Sequence, residues 1–247
     1  MGRVSAIVRA LLELVVPREC AGCRLAGRVL CDACKHDLLG LTVARIDGFT
    51  CAHLDPLGVG RAAVRAHKMR GERTLTPVLG ETLARSVRHA LAAQVSRRVV
   101  LIPAPTRREA LRERGVSSVG LLARSAAHAM RASGIDAGVS DLARLVRQPR
   151  DQRGLGSAAR EANVVGSIGI GLPRSQSQRQ ALLESVVVAV DDVVTTGATL
   201  RELRRALLAA GILPTGAAAV VSTPSVDAGR LVSGLRTSVE TDQRELR

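Results

Sequence analysis

The sequence predicts an α/β protein: a parallel β-sheet flanked by helices, with a small N-terminal four-cysteine module. Three observations predict it. The short aliphatic runs Val99–Ile102 and Val186–Val190 are rich in β-branched residues and read as strands buried on both faces. Helical stretches alternate with such runs, the pattern of a parallel sheet. Two C-x-x-C pairs stand near the start of the chain.

A chain of 247 residues accommodates one α/β domain and an accessory module. Its hydrophobic content is 46%, which excludes a disordered chain. The apolar residues are mainly Ala, Val and Leu, and Phe49 is the single aromatic, so the core must be aliphatic. The net charge of +14 comes almost entirely from Arg. It fits anionic partners or, because the arginines are spread along the chain, a general compositional drift. The lack of aromatics argues against a base-stacking surface for single strands but leaves phosphate contact open.

Residues 1–16 read as an amphipathic helix packed on the body. The apolar run Ala6–Val16 is interrupted by Arg9 and Glu13, too short and too charged to span a membrane, and a poor signal peptide. A cytoplasmic location is expected. Residues 17–50 read as the metal-binding region and Asp55–Gly60 as a turn. Ala62–Lys68 is helical, broken by Met69-Arg70-Gly71-Glu72, and a long helix follows over Leu75–Val95. After the strand Val99–Ile102, Pro103-Ala104-Pro105 forces an extended turn. A helix then covers Arg108–Ser133 with a break near Gly115. Gly134–Val139 is a loop and strand edge, Leu142–Val146 a strand, and Arg147–Gly156 an exposed loop. Ser157–Asn163 is a short helix and Gly171–Gln180 a flexible surface turn. The strongest strand, Val186–Val190, leads to a helix over Thr199–Ala210, closed by Gly211. Ala217–Val221 is the last strand. The domain division expected is 1–54, 55–223 and a polar tail, 224–247.

Five cysteines precede residue 52. Cys20 and Cys23, and Cys31 and Cys34, form two knuckles separated by seven residues. Each knuckle turns two thiolates toward one ion, and together they complete a tetrahedral site suited to Zn²⁺. Two disulfides, a redox dithiol and an iron–sulfur cluster are the competing readings. Cys51 reads as a small buried residue rather than a ligand.

The chemistry-bearing segment is Val186 through Leu200. An apolar strand ends in Asp191 and Asp192. A small loop follows, Val193-Val194-Thr195-Thr196-Gly197-Ala198-Thr199, and then a helix begins. In open parallel sheets ligands bind beyond the carboxyl ends of strands. Loop N–H groups and hydroxyls at a helix N-terminus bind phosphate, and Gly197 permits close approach. The acids suit a sugar diol or a Mg²⁺ ion. A phosphate beside a diol describes a ribose 5-phosphate.

This segment resembles the phosphoribosyl-pyrophosphate (PRPP) motif of type I phosphoribosyltransferases. The resemblance implies a type I phosphoribosyltransferase-like parallel sheet, with Asp191 and Asp192 on the ribose hydroxyls and Thr195–Thr199 around the 5′-phosphate. Further stretches are similar to the competence protein F family (ComF, also called GntX-like) over nearly the whole chain. They are the four-cysteine knuckle, Lys68-Met69-Arg70-Gly71, Pro103-Ala104-Pro105, Arg114-Gly115, and Gln152, Leu155, Arg160 and Asn163 in order. The chain departs from that family at Val116-Ser117-Ser118, where F-N-Q is usual, at Met69 in place of an aromatic, and at Ile168 in place of Phe.

By this resemblance the protein binds PRPP with Mg²⁺ and transfers phosphoribosyl to a nitrogen nucleophile. Pro103, Ala104 and Arg107 would face the pyrophosphate, with Lys68, Arg70 and Arg114 as further cationic candidates. Two alternatives stay open: a non-catalytic module in DNA uptake or recombination acting through protein or DNA partners, and a PRPP sensor.

Overall fold

A computed structural model of the chain describes residues 18–91, 97–106, 115–147 and 164–223. The N-terminal helix, the Arg147–Gly156 loop beyond residue 147, the Ser157–Asn163 helix and the tail lie outside the described residues, as do Arg107 and Arg114.

The elements follow in chain order. Helix α1 spans Asp32–Gly40, β1 Val43–Arg45, β2 Thr50–Leu54, α2 Val59–Met69 and α3 Thr76–Ala90. Then come β3 Val99–Pro103, α4 Ser118–Ala132, β4 Ala137–Val139, β5 Ala143–Leu145 and β6 Ile168–Ile170. Helix α5 covers Gln176–Leu183, β7 Val186–Val194, α6 Ala198–Ala209 and β8 Pro214–Ser222.

Six strands form one sheet in the order β1-β2-β8-β7-β3-β4. All neighbouring pairs are parallel except β1 and β2 at one edge. The central strands β3, β7 and β8 are almost wholly buried, as their unbroken aliphatic runs require. One face packs against α2, α3 and α4 through residues such as Leu83, Leu122, Val188 and Val190. The other packs against α6 through Val187, Ala189, Leu203 and Leu207.

This order creates a switch point. The connection from β3 runs through α4 outward to β4, and the one from β7 runs through α6 the other way to β8. Right-handed crossovers in opposite directions place the two helices on opposite faces. The loops leaving the carboxyl ends of neighbouring β3 and β7 therefore diverge and leave a crevice between them.

Several elements differ from expectation. Strands β1 and β2 belong to the main sheet, although residues 17–50 were expected to form the metal region. β2 escapes a pattern reading because Thr50, Cys51 and His53 are polar or small, yet all three are fully buried. His53 is accommodated through Nδ1, 3.0 Å from both the Val220 carbonyl and Ser86 Oγ. The strand at Ala143–Leu145 pairs antiparallel with β6 in a separate two-stranded sheet rather than joining the parallel one. Helix α5 occupies part of the expected turn 171–180; its Ser- and Gln-rich sequence offers the core only Leu182. Gly115 does break the α4 region, with φ 70°.

Among the described residues no helix is long and apolar enough to cross a membrane.

Candidate functional site

The cysteine module is built from two local turns. In the first, Arg24 N–H donates to the Cys20 carbonyl at 2.9 Å and turns Cys23 back toward Cys20. In the second, Cys31 is the N-cap of α1 and Cys34 lies in its first turn, so the positive end of the helix faces both sulfurs. The four Sγ atoms of Cys20, Cys23, Cys31 and Cys34 lie within 4.8 Å of one another. Backbone N–H groups also reach the sulfurs: Cys31 N to Cys20 Sγ is 3.3 Å and Cys34 N to Cys31 Sγ is 3.5 Å. A Cβ on Gly22 would come 2.7 Å from Cys34 Sγ, so glycine is what lets the knuckles close.

The electrostatics match a cation site. Burial opposes ionisation of Cys20, but N–H groups of Cys23, Cys31 and Gly22 outweigh it and bring the thiol down to about 6. Burial and then the sulfurs around it push Cys34 up. Four such sulfurs ionise together only around a positive ion. Cys51 is fully buried in β2, outside the cluster, as expected. The module is fused to the body: its cysteines share a core with Leu38, Val59 and Leu75, and Arg85 Nη1 donates to the Leu39 carbonyl.

At the other candidate site, β7 does not stop at the acids but continues to Val194. Asp191 and Asp192 therefore meet different elements, the loop before α6 and helix α2. Asp192 is buried and accepts from Lys68 Nζ of α2 at 2.7 Å. Asp191 lines a small cavity of about 40 Å³ with Val193 through Leu200 and Val164. Burial, then the neighbouring Asp192 charge, pushes the Asp191 carboxyl up to about 7, with Lys68 pulling the other way.

Gly197 adopts φ 75° as the N-cap of α6, where L side chains are strained. A Cβ there would meet Arg201 Nη1 at 2.8 Å and Asp47 Oδ2 at 3.3 Å. No side chain caps α6, so its first N–H groups face the cavity region; Thr196 Oγ1 accepts only a long 3.4 Å bond from Ala198 N. Free N–H groups at a helix N-terminus can hold an anion.

The structure brings most of the expected residues together. Pro103 pairs in register with Val190, and Ala104 N–H donates to the Val190 carbonyl at 2.8 Å, so the Pro103-Ala104 turn stands beside Asp191. Lys68 is in the site through Asp192. Arg70 is not placed there: it lines a groove beside Cys20 and Arg24.

Sequence reasoning missed Asp47 and Arg201, which close around Gly197. Asp47 sits in the β1–β2 hairpin, where it accepts from Thr50 N at 2.6 Å. The Asp47-Gly48 dipeptide is the hairpin signal that could have shown it. Arg204 lies 4.6 Å from the Phe49 ring centroid and ties the same hairpin to α6. Glu202 of α6 is buried and accepts from Ile168 N at 3.2 Å and from Arg205. Although burial opposes it, the Arg205 guanidinium holds Glu202 below the usual carboxylate range and anchors β6 to α6.

The site and fold together define a mostly parallel α/β protein with a four-cysteine cluster and, at a switch point of the sheet, a buried acid beside a helix N-terminus. No protein-family model matches the chain, and no curated protein sequence is significantly similar to it.

Proposed function

We propose that the crevice at the ends of β3 and β7 binds PRPP or ribose 5-phosphate, and that the chain is a phosphoribosyltransferase of the ComF type. One observation supports this reading above the rest: the Asp191 carboxyl shares a cavity with the uncapped N-terminus of α6 and the Thr195–Thr199 loop. A 5′-phosphate would take the N–H groups and hydroxyls of that loop. The ribose hydroxyls would donate to Asp191, while Lys68 neutralises Asp192 behind it. A Mg²⁺ ion suits the hard oxygens of Asp191 and of PRPP itself and would stabilise the departing pyrophosphate.

In the proposed reaction a nitrogen lone pair forms the new bond to ribose C1. The C1–oxygen bond breaks with its electron pair leaving on pyrophosphate, and the nitrogen's proton passes to solvent. Asp191 helps here by holding the ring while positive charge develops at C1. A second reading, ligand binding without turnover within DNA uptake or recombination, has one observation in its favour. Asp191 is the single titratable side chain in the described lining of the cavity, and the ribose hydroxyls would already occupy it. Pyrophosphate release from PRPP with Mg²⁺ and a panel of nucleobases and amines separates them. Base-dependent release supports transfer; binding with no release for any acceptor supports the second reading.

We infer a structural zinc ion in the cysteine module. Zn–S bonds of about 2.3 Å in a tetrahedron put sulfurs about 3.8 Å apart. Cys23 and Cys31 Sγ are 3.6 Å apart, which fits one ion rather than a multi-iron cluster. Four thiolates leave no open position, so the role is structural. Metal analysis of the purified chain tests it: about one zinc per chain is expected.

A further inference from the structure

Helix α2 serves two faces. His67 and Lys68 turn inward, Lys68 to Asp192 and His67 Nε2 to Thr76 Oγ1 at 3.0 Å. Ala62, Arg65, Ala66 and Met69 recur at helical spacing on another face, with Arg70 beside them. That face is one wall of a groove of about 430 Å³. The first cysteine knuckle is the other wall and contributes Glu19, Ala21 and Arg24.

Three arginines, Arg24, Arg65 and Arg70, are exposed along this groove. None has a side-chain ion pair or hydrogen bond among the described residues, whereas Arg28, Arg61, Arg88, Arg124 and Arg205 all have acidic partners. Arg24 carries a second signal. It is the only non-glycine described residue at positive φ, 65°, immediately after Cys23. Glycine would adopt that turn without strain, so the knuckle retains a strained arginine, and that arginine lines the groove.

We propose that this groove docks an acidic segment of a protein partner. Its chemistry discriminates among anions. Paired guanidinium forks suit carboxylates in bidentate geometry. The small side chains of Ala21, Ala62 and Ala66 let a backbone approach closely, and Met69, 65% exposed at the edge, offers an adaptable apolar contact. A single strand of nucleic acid is disfavoured. The groove has no aromatic to stack a base, the one Phe being held under Arg204.

The test uses the full chain and three fluorescein-labelled probes read by anisotropy: a Glu/Leu peptide of about twelve residues, its Lys/Leu counterpart, and oligothymidylate of equal length. The acidic peptide binds, and the Lys/Leu peptide does not. Arg65→Ala with Arg70→Ala weakens binding about tenfold or more. Arg144→Ala with Arg174→Ala, which removes the same charge outside the groove, changes it less than about twofold. Arg24→Gly keeps the fold, because the turn favours glycine, and still weakens binding. Three results would overturn the proposal: no binding of the acidic peptide, equal loss in the groove and control variants, or tighter groove-dependent binding of oligothymidylate.

Discussion

Asp191 is a costly residue, and its cost argues for a role. Its carboxyl accepts from the Asp192 backbone N–H at 2.8 Å, and burial, then the Asp192 charge, push its pKa up to about 7, so above neutrality the fold holds a charge it disfavours. Asp191→Asn should therefore raise stability at pH 8 by on the order of 1–3 kcal/mol while abolishing ribose 5-phosphate binding. Denaturant melts and titration of the same variant check both. In the wild type the diol needs the ionised acceptor, so affinity should climb as pH rises through about 7 and flatten above it. The pair of acids and the loop were legible in the sequence because they interrupt an aliphatic run. Which acid faces the cavity was not legible. It depends on β7 continuing to Val194, so that strand alternation splits the pair. The groove that Arg70 lines was not legible for a similar reason. The side of the α2 terminus that Arg70 takes is set by where the helix packs, not by its nearness to Lys68 in sequence.

At the scale of elements, close approach governs. Helices α3 and α4 cross at Gly80, where a Cβ would fall on the Ser125 side chain and 3.0 Å from its carbonyl carbon. Ser125 Oγ also donates to the Thr76 carbonyl at 3.2 Å. Gly80→Ala should then cost about 1–3 kcal/mol by overpacking, despite alanine's better helix propensity; chemical denaturation measures it. In the cysteine module, Cys31 is both a candidate ligand and the N-cap of α1. Cys31→Ser keeps a capping oxygen, so a loss of metal with it isolates the ligand role. Zinc content should fall and the melting temperature drop, and unchanged metal content would refute the cage. Elements with uniform aliphatic runs, β3 and β7, were readable, as were the α2 and α6 helices. Strand β2 and helix α5 were not. One hides polar residues in the core behind specific hydrogen bonds, and the other shows the core a single leucine.

For the whole molecule, strand order is the property no local pattern reveals. The sequence announced a parallel sheet but not that β3 and β7 would be neighbours with diverging loops, and that adjacency makes the crevice. The buried centre also sets a pH limit on the fold. His53 is fully buried, and burial, helped by the Arg85 charge, lowers its pKa to about 4. Its folded pKa lies below the unfolded value, so the unfolded chain binds the proton first. The contribution of neutral His53 is intact above about pH 6.5 and falls by about 3 kcal/mol as pH drops toward 4. His53→Gln should flatten that part of the stability profile. The ligand site, however, is the central claim. Isothermal calorimetry of the full chain with PRPP and Mg²⁺ tests it most directly, against Asp191→Asn combined with Asp192→Asn. Saturable binding to the wild type, lost in a variant that still melts cooperatively, is the predicted result. Absence of binding to the wild type, or equal affinity in the variant, would contradict it.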